Sequence, residues 1–205
     1  MPLIFGRRQA RRRLPLVFCM SCLLCGHPMS AQASMALDLD DEALVRRSDV
    51  VAVASVSRLE VVLGPDQSVS TLAKLQIHRP VRGCAEGDEL VLQLPGGLFA
   101  GLQHAVAGSP SLRPGQVVLA FMERHGPVVR LMGLSLGLYC IDGAPQQPWR
   151  AQRKLNGLVL VAEGDAGQKG QATTTRRPPP QGPVPLDRLL DRLDGYARAA
   201  AGRPR

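Results

Sequence analysis

The chain has 205 residues, enough for one domain with a substantial core plus tails. Its formal charge of +8 is uneven: residues 37–143 carry nine basic and twelve acidic side chains, while residues 150–205 carry eleven and five. A mildly acidic centre between basic ends, with only 3% aromatic residues, argues against a nucleic-acid-binding core, which needs a basic face and stacking rings.

Residues 1–36 read as a signal peptide. Arg7, Arg8, Arg11, Arg12 and Arg13 supply the positive start, and no acidic residue precedes Asp38. Residues 14–25 form an apolar run of twelve, too short to span a bilayer as a helix. Small residues around Ala33 and Ala36 offer two cleavage points, giving a mature start at Ser34 or Leu37. No later segment is long and apolar enough to span. The expected address is therefore the periplasm or the exterior, with no transmembrane segment after cleavage. Cys19, Cys22 and Cys25 have a spacing that suits metal, but they lie in the part cut away. Lipid attachment also fits poorly, since Leu24 before Cys25 is too large and Cys19 is wrong three residues before Cys22.

The mature chain keeps Cys84 and Cys140. An oxidising compartment favours a disulfide between them, worth about 4 kcal/mol in the chain-entropy picture. The alternative is two separate thiols, because sequence cannot bring two Cα atoms within bridging range.

Residues 38–48 predict a short helix. Asp38, Asp40, Asp41 and Glu42 gather at its start and Arg46 and Arg47 at its end, both suited to the helix dipole. Residues 49–56, rich in valine, predict a strand. A turn at Gly64, Pro65 and Asp66 leads to the cleanest strand, residues 69–78, which Pro80 is expected to end. There Val69, Thr71, Ala73, Leu75 and Ile77 alternate with more polar residues, so one face should be wet. After a turn at 82–87, residues 88–94 put Leu90, Leu92 and Leu94 on one face. Pro95, Gly96 and Gly97 stop that strand, and a glycine-rich loop of about twenty residues reaches Gly115, long enough to suggest a task of its own. A strand resumes at 116–121. Residues 128–141 predict another extended region, bent or bulged at Gly133 and Gly137. Residues 158–161 predict a sixth short strand at the sheet edge.

Residues 164–184 read as a disordered linker rich in Pro, Gly and Thr, too polar to offset its ordering entropy. Residues 185–200 form an amphipathic helix, with Leu186, Leu189, Leu190, Leu193 and Tyr196 on one side. It can dock on its own domain or on a partner. Together these elements describe an all-β domain over 37–163, a barrel or sandwich of five to six strands, with a helix at each end.

Residues 39–161 carry a pattern that resembles a group of uncharacterised exported bacterial proteins. The pattern comprises a short leucine-bearing helix and then the run from Ser48 to Ala54. The Arg82-Gly83 turn and the Pro95-Gly96-Gly97 loop follow. It closes on Gly108-Ser109-Pro110, Arg113-Pro114-Gly115 and a glycine-rich last strand. This resemblance implies a fold and an address, and no activity. The strand order also resembles the OB-like barrel of netrin modules and tissue inhibitors of metalloproteinases. Those inhibitors place an N-terminal cysteine on zinc, and a mature start at Ser34 or Leu37 lacks one.

Gly133-Leu134-Ser135-Leu136-Gly137 matches the nucleophile elbow of α/β-hydrolases. That elbow needs a strand, a sharp turn and a helix, with a histidine later in the chain. Here His27, His78, His104 and His125 all precede Ser135, and no catalytic residue is assigned. No histidine or cysteine pair after residue 36 has ligand spacing, so neither a metal nor a cofactor is expected.

What remains is binding. Leu98, Phe99, Leu102 and His104 sit among glycines in the central loop, which either folds over the domain or meets a partner. The expected function is that of an exported, non-enzymatic interaction or accessory protein with a protein partner in the envelope and no nucleic-acid ligand. The basic tail adds a weak hold on anionic surfaces. A small envelope hydrolase or a protease-associated inhibitor is the alternative.

Overall fold

A computed structural model gives the structure of the protein and describes residues 35–37, 39–143, 147–155, 158–161 and 182–202. The expected signal peptide up to residue 34 and the linker over 164–181 lie outside the described residues. The described chain is mostly β, with one large mixed sheet of eight strands and two helices.

In chain order the elements begin with β1 (Met35–Leu37), α1 (Asp41–Arg47), β2 (Val50–Leu63), β3 (Val69–Arg82) and β4 (Glu89–Pro95). Two short strands follow, β5 (Gly97–Phe99) and β6 (Leu102–His104), then β7 (Val117–His125) and β8 (Val128–Leu131). A 3-10 turn over Leu134–Gly137 leads to β9 (Leu138–Asp142), β10 (Arg150–Arg153) and β11 (Val159–Val161). The last elements are β12 (Val184–Pro185) and α2 (Leu186–Ala201).

The large sheet runs β12-β10-β9-β7-β2-β3-β4-β8. Its far strand, β8, also pairs antiparallel with β7 and lies parallel to β4. Five strands, β7, β2, β3, β4 and β8, are thus joined in an unbroken circuit of pairings. Side chains alternate on them as the pleat requires. Val50, Ala52, Ala54 and Val56 of β2 face inward, as do Ala73, Leu75 and Ile77 of β3 and Leu92 and Leu94 of β4. Val118, Ala120 and Met122 of β7 complete this first apolar cluster with Val129 and Leu131 of β8.

The opposite faces of β2 and β7 are buried as well. Val51, Val53, Leu119 and Phe121 meet Leu44 and Val45 of α1, Tyr139 and Ile141 of β9, and Leu189, Leu190 and Leu193 of α2 in a second cluster. Burial on both sides explains why these two segments read as continuous apolar runs, where β3 alternates cleanly. The C-terminal helix docks on its own domain, with Arg79 Nη2 2.8 Å from the Asp194 carboxylate at its edge.

Several expectations need correction. Pro80 does not end its strand. It lies past the last bonds between β3 and β4, at Ile77, and register shifts against β2 flank it, so a missing donor costs little there. β2 runs on to Leu63 through a shift beside Ser57, whose hydroxyl donates to the Lys74 carbonyl at 3.0 Å. The extended region over 128–141 is broken by the 3-10 turn. There a Cβ on Gly137 would meet the Met132 carbonyl oxygen at 2.4 Å, so only glycine fits. β11 pairs in parallel with β1 rather than extending the large sheet, so Met35 and Ala36 belong to a strand. β10 and β12 carry no apolar signal in the sequence and were not expected.

The disulfide needs correction too: Cys84 and Cys140 are free thiols. Gly83, just before Cys84, lies against Asp49, whose N–H donates to the Met122 carbonyl. Cys140 pairs with Val118. Val118 to Met122 is about 13 Å of strand, whereas a disulfide needs Cα atoms within about 7 Å. Burial pushes both thiols up, with Asp88 adding to the shift at Cys84. Alkylation of the folded protein at pH 8 should therefore label both Cys84 and Cys140, each more slowly than free cysteine. A non-reducing mass showing an intramolecular bridge would contradict the placement.

Candidate functional site

The loop between β4 and β7 is built outward from its base. The Gly96 N–H donates to the Val69 carbonyl at 2.8 Å, Thr71 Oγ1 to the Gly96 carbonyl at 2.7 Å, and Ser109 Oγ to the Pro95 carbonyl at 2.8 Å. A Cβ on Gly96 would meet the His104 carbonyl oxygen at 2.4 Å, and that close approach lets the loop close on itself. β5 and β6 then form a hairpin. Its two turn residues, Ala100 and Gly101, have φ of 49° and 80°, the left-handed pair of a type I′ turn.

The four residues expected to form an interaction loop all lie on this hairpin. Phe99 is opposite Leu102, and Leu98 is opposite Gln103. Facing residues in an antiparallel ribbon share a side, so Leu98 and Leu102 project from opposite sides. They are 61% and 67% exposed, and Val106 just beyond is 41% exposed. Phe99 is half-buried and His104 is exposed. The leucines near the tip of the ribbon therefore project into solvent, while its base keeps contact with β2 and β3.

A cleft of about 650 Å³ opens beside the hairpin, between Ser68 and Ser70 on one side and His104 and Val106 on the other. Leu94, Leu131 and Leu134 give it an apolar floor, and Arg130 and Gln93 line one wall. A second cleft of about 280 Å³ lies on the side of Leu59, Val61 and Leu112.

Other polar clusters serve structure. Ser135 is buried, with its hydroxyl donating to the Leu155 carbonyl at 2.8 Å and its N–H to the Gly108 carbonyl. It occupies a 3-10 turn rather than a strand-to-helix elbow. The histidines are dispersed: His78 Nε2 lies 2.8 Å from Ser55 Oγ, His125 is 3.5 Å from Glu123, and His104 is at the clefts. Among the described residues no three His, Cys, Asp or Glu side chains converge in a metal-holding group. Among them also, no helix is long and apolar enough to cross a membrane.

Among the described residues, a highly connected side chain is one that sequence patterning treats only as a helix-dipole partner. Asp41 Oδ1 accepts from the Tyr139 hydroxyl at 2.8 Å and from Arg153 Nη2 at 3.0 Å, and Arg192 Nη2 reaches Oδ2 at 3.4 Å. The Arg153 guanidinium lies 4.2 Å over the Tyr139 ring, a cation–π contact. Its side chain is only 8% exposed. No local spacing announces this set, since its members are brought together by tertiary packing.

Comparison with protein-family models found no match, and comparison with curated proteins found no relative.

Burial, the largest cause, pushes the Tyr139 phenol well above the ordinary tyrosine range; Asp41 adds to the shift and Arg153 opposes it. Its contribution to stability is complete below pH 10, the usual tyrosine value, and is lost as pH rises through the higher folded value. The alkaline unfolding limb should therefore flatten in Tyr139→Phe. Asp41→Asn, which strands the Arg153 charge, should cost about 3 kcal/mol in urea unfolding at pH 7. An unchanged midpoint in Asp41→Asn would refute the clamp.

Proposed function

We propose that this is an exported, non-enzymatic OB-like β-domain that acts by binding a protein partner through the β5–β6 hairpin. The observation that carries this reading is the pair of leucines exposed on opposite sides of a hairpin whose base is pinned by three hydrogen bonds. Two large apolar side chains held out from a fixed base keep contact area in water, and a partner would bury it at little ordering cost. The circuit β7-β2-β3-β4-β8, with β4 and β8 parallel, supports the OB-like barrel. Export is supported by the arginine-rich start and the short apolar run. The engaged Ser135 hydroxyl favours binding over the hydrolase alternative.

Cross-linking and affinity capture from envelope and culture fluid should yield one stoichiometric partner with the wild-type chain. Leu98→Asp and Leu102→Asp should each lose it, whereas Leu63→Asp, at another exposed leucine at the end of β2, should keep it. Capture unaffected by both hairpin changes would refute the reading.

β1 also bears on processing. Cleavage before Ser34 leaves β1 whole, and cleavage before Leu37 leaves one residue of it. The exported protein should therefore begin at Ser34, which intact mass will decide.

A further inference from the structure

The cleft beside the hairpin has a polar wall in which an arginine is held by a neutral acceptor. Arg130 donates through Nε and Nη2 to one oxygen, Gln93 Oε1, at 3.1 and 2.9 Å. Gln93 in turn donates through Nε2 to Ser70 Oγ at 3.3 Å. The guanidinium is thus oriented by a neutral acceptor, with Nη1 and the outer edge of the fork left over. Among the described residues Arg130 makes no ion pair. Arg46, Arg58, Arg79, Arg153 and Arg192 each have a carboxylate partner, and Arg82 sits on the carbonyls of Val45 and Arg46 at the end of α1. The one acidic residue opposite Arg130 in the sheet is Glu123, and its carboxylate turns to His125.

One further feature faces the same space, and a second adjoins it at His104. Val106 and the three leucines of the floor make the rest of the cleft largely apolar. β6 has β5 as its sole strand partner among the described residues, so its other edge offers backbone donors and acceptors beside His104, which lines the cleft.

We propose that this cleft takes a carboxylate from an extended, apolar segment of the protein partner, received on the outer edge of the Arg130 guanidinium while the segment runs along β6. A pre-oriented guanidinium suits a carboxylate, which it can bind through two parallel N–H groups. An extended segment satisfies the free edge of β6, and its flanking apolar side chains cover Val106 and the hairpin leucines. Gln93, which holds Arg130, and Ser70, which holds Gln93, act as positioning residues. The proposal rests on the hairpin being the binding surface and adds the chemistry of what it binds.

The test uses the mature full-length chain and a panel of fluorescent octapeptides of alternating Leu, Val and Ser, each with one central Glu or its Gln isostere. Fluorescence anisotropy should show the Glu peptides binding about tenfold more tightly than their Gln partners, the scale of one charge-assisted contact. Arg130→Gln should abolish that preference and leave the Gln peptides unchanged. Glu123→Gln, which removes the negative charge opposite Arg130 in the sheet, should strengthen Glu-peptide binding. Unchanged urea midpoints will show that each variant folds. Equal affinity for Glu and Gln peptides overturns the carboxylate site; if Leu102→Asp then still weakens both sets, the hairpin reading stands alone. A preference that survives Arg130→Gln, or no binding by any Glu peptide up to millimolar concentration, likewise overturns the proposal, and partner capture then judges the hairpin separately.

Discussion

The half-buried carboxylate of Asp41 is the constraint on which the second layer of the structure depends. It lies at the first turn of α1, where the helix dipole already favours negative charge. From there it holds Tyr139 of β9, Arg153 of β10 and Arg192 of α2. Four elements distant in the chain therefore converge on two oxygen atoms. The arrangement brings a cost that apolar packing would not. Arg153 is almost fully removed from water, and its Nε has no partner. The Tyr139 ring beneath the guanidinium and the carboxylate beside it offset that desolvation together. Neither alone would hold an arginine in that position. The set therefore specifies how the helices sit as much as it stabilises them.

β2 and β7 tie this clamp to the rest of the domain. Each strand gives alternate residues to the two clusters, so packing on one side constrains packing on the other. Small residues on the inward faces, Ala52, Ala54 and Ala120, let the strands approach closely, while Phe121 fills the outward side. The hairpin stands clear of both clusters. Its base is fixed to the ends of β3 and β4 by backbone and hydroxyl hydrogen bonds, so a rigid sheet positions the leucines without burying them. A surface of that kind can bind without a large conformational change.

How much of this was legible in the sequence follows from what each residue faces. β3 and β4 were readable because one side is wetter than the other, and period two survives. The amphipathic face of α2 was readable for the same reason. β2 and β7 showed apolar runs but not their full lengths, since burial on two sides removes alternation and the polar ends at Ser57 and Arg124 look like loop. β10, spelled Arg-Ala-Gln-Arg, has no apolar pattern, because three of its four residues are placed by strand pairing and by Asp41. The hairpin was legible as glycine-rich and apolar, yet its turn was not: Ala100 adopts a positive φ that its side chain does not favour. The contacts of Asp41 span 98, 112 and 151 residues, separations at which no spacing rule operates. The disulfide expectation failed for a related reason, because compartment predicts chemistry but only the sheet register sets distance.

The docking of α2 has a consequence for the order in which the chain assembles. Its contacts with α1 close the longest loop in the molecule, and the entropy of that closure is met only when most of the sheet already exists. The helix meets the rest of the domain through Leu189, Leu190 and Leu193 and through the ion pairs of Asp194 with Arg79 and of Arg192 with Asp41. A chain cut between residues 161 and 184 keeps every one of those contacts. Such a molecule is a non-covalent complex in miniature, and its helix could be supplied as a separate peptide to complete the fold.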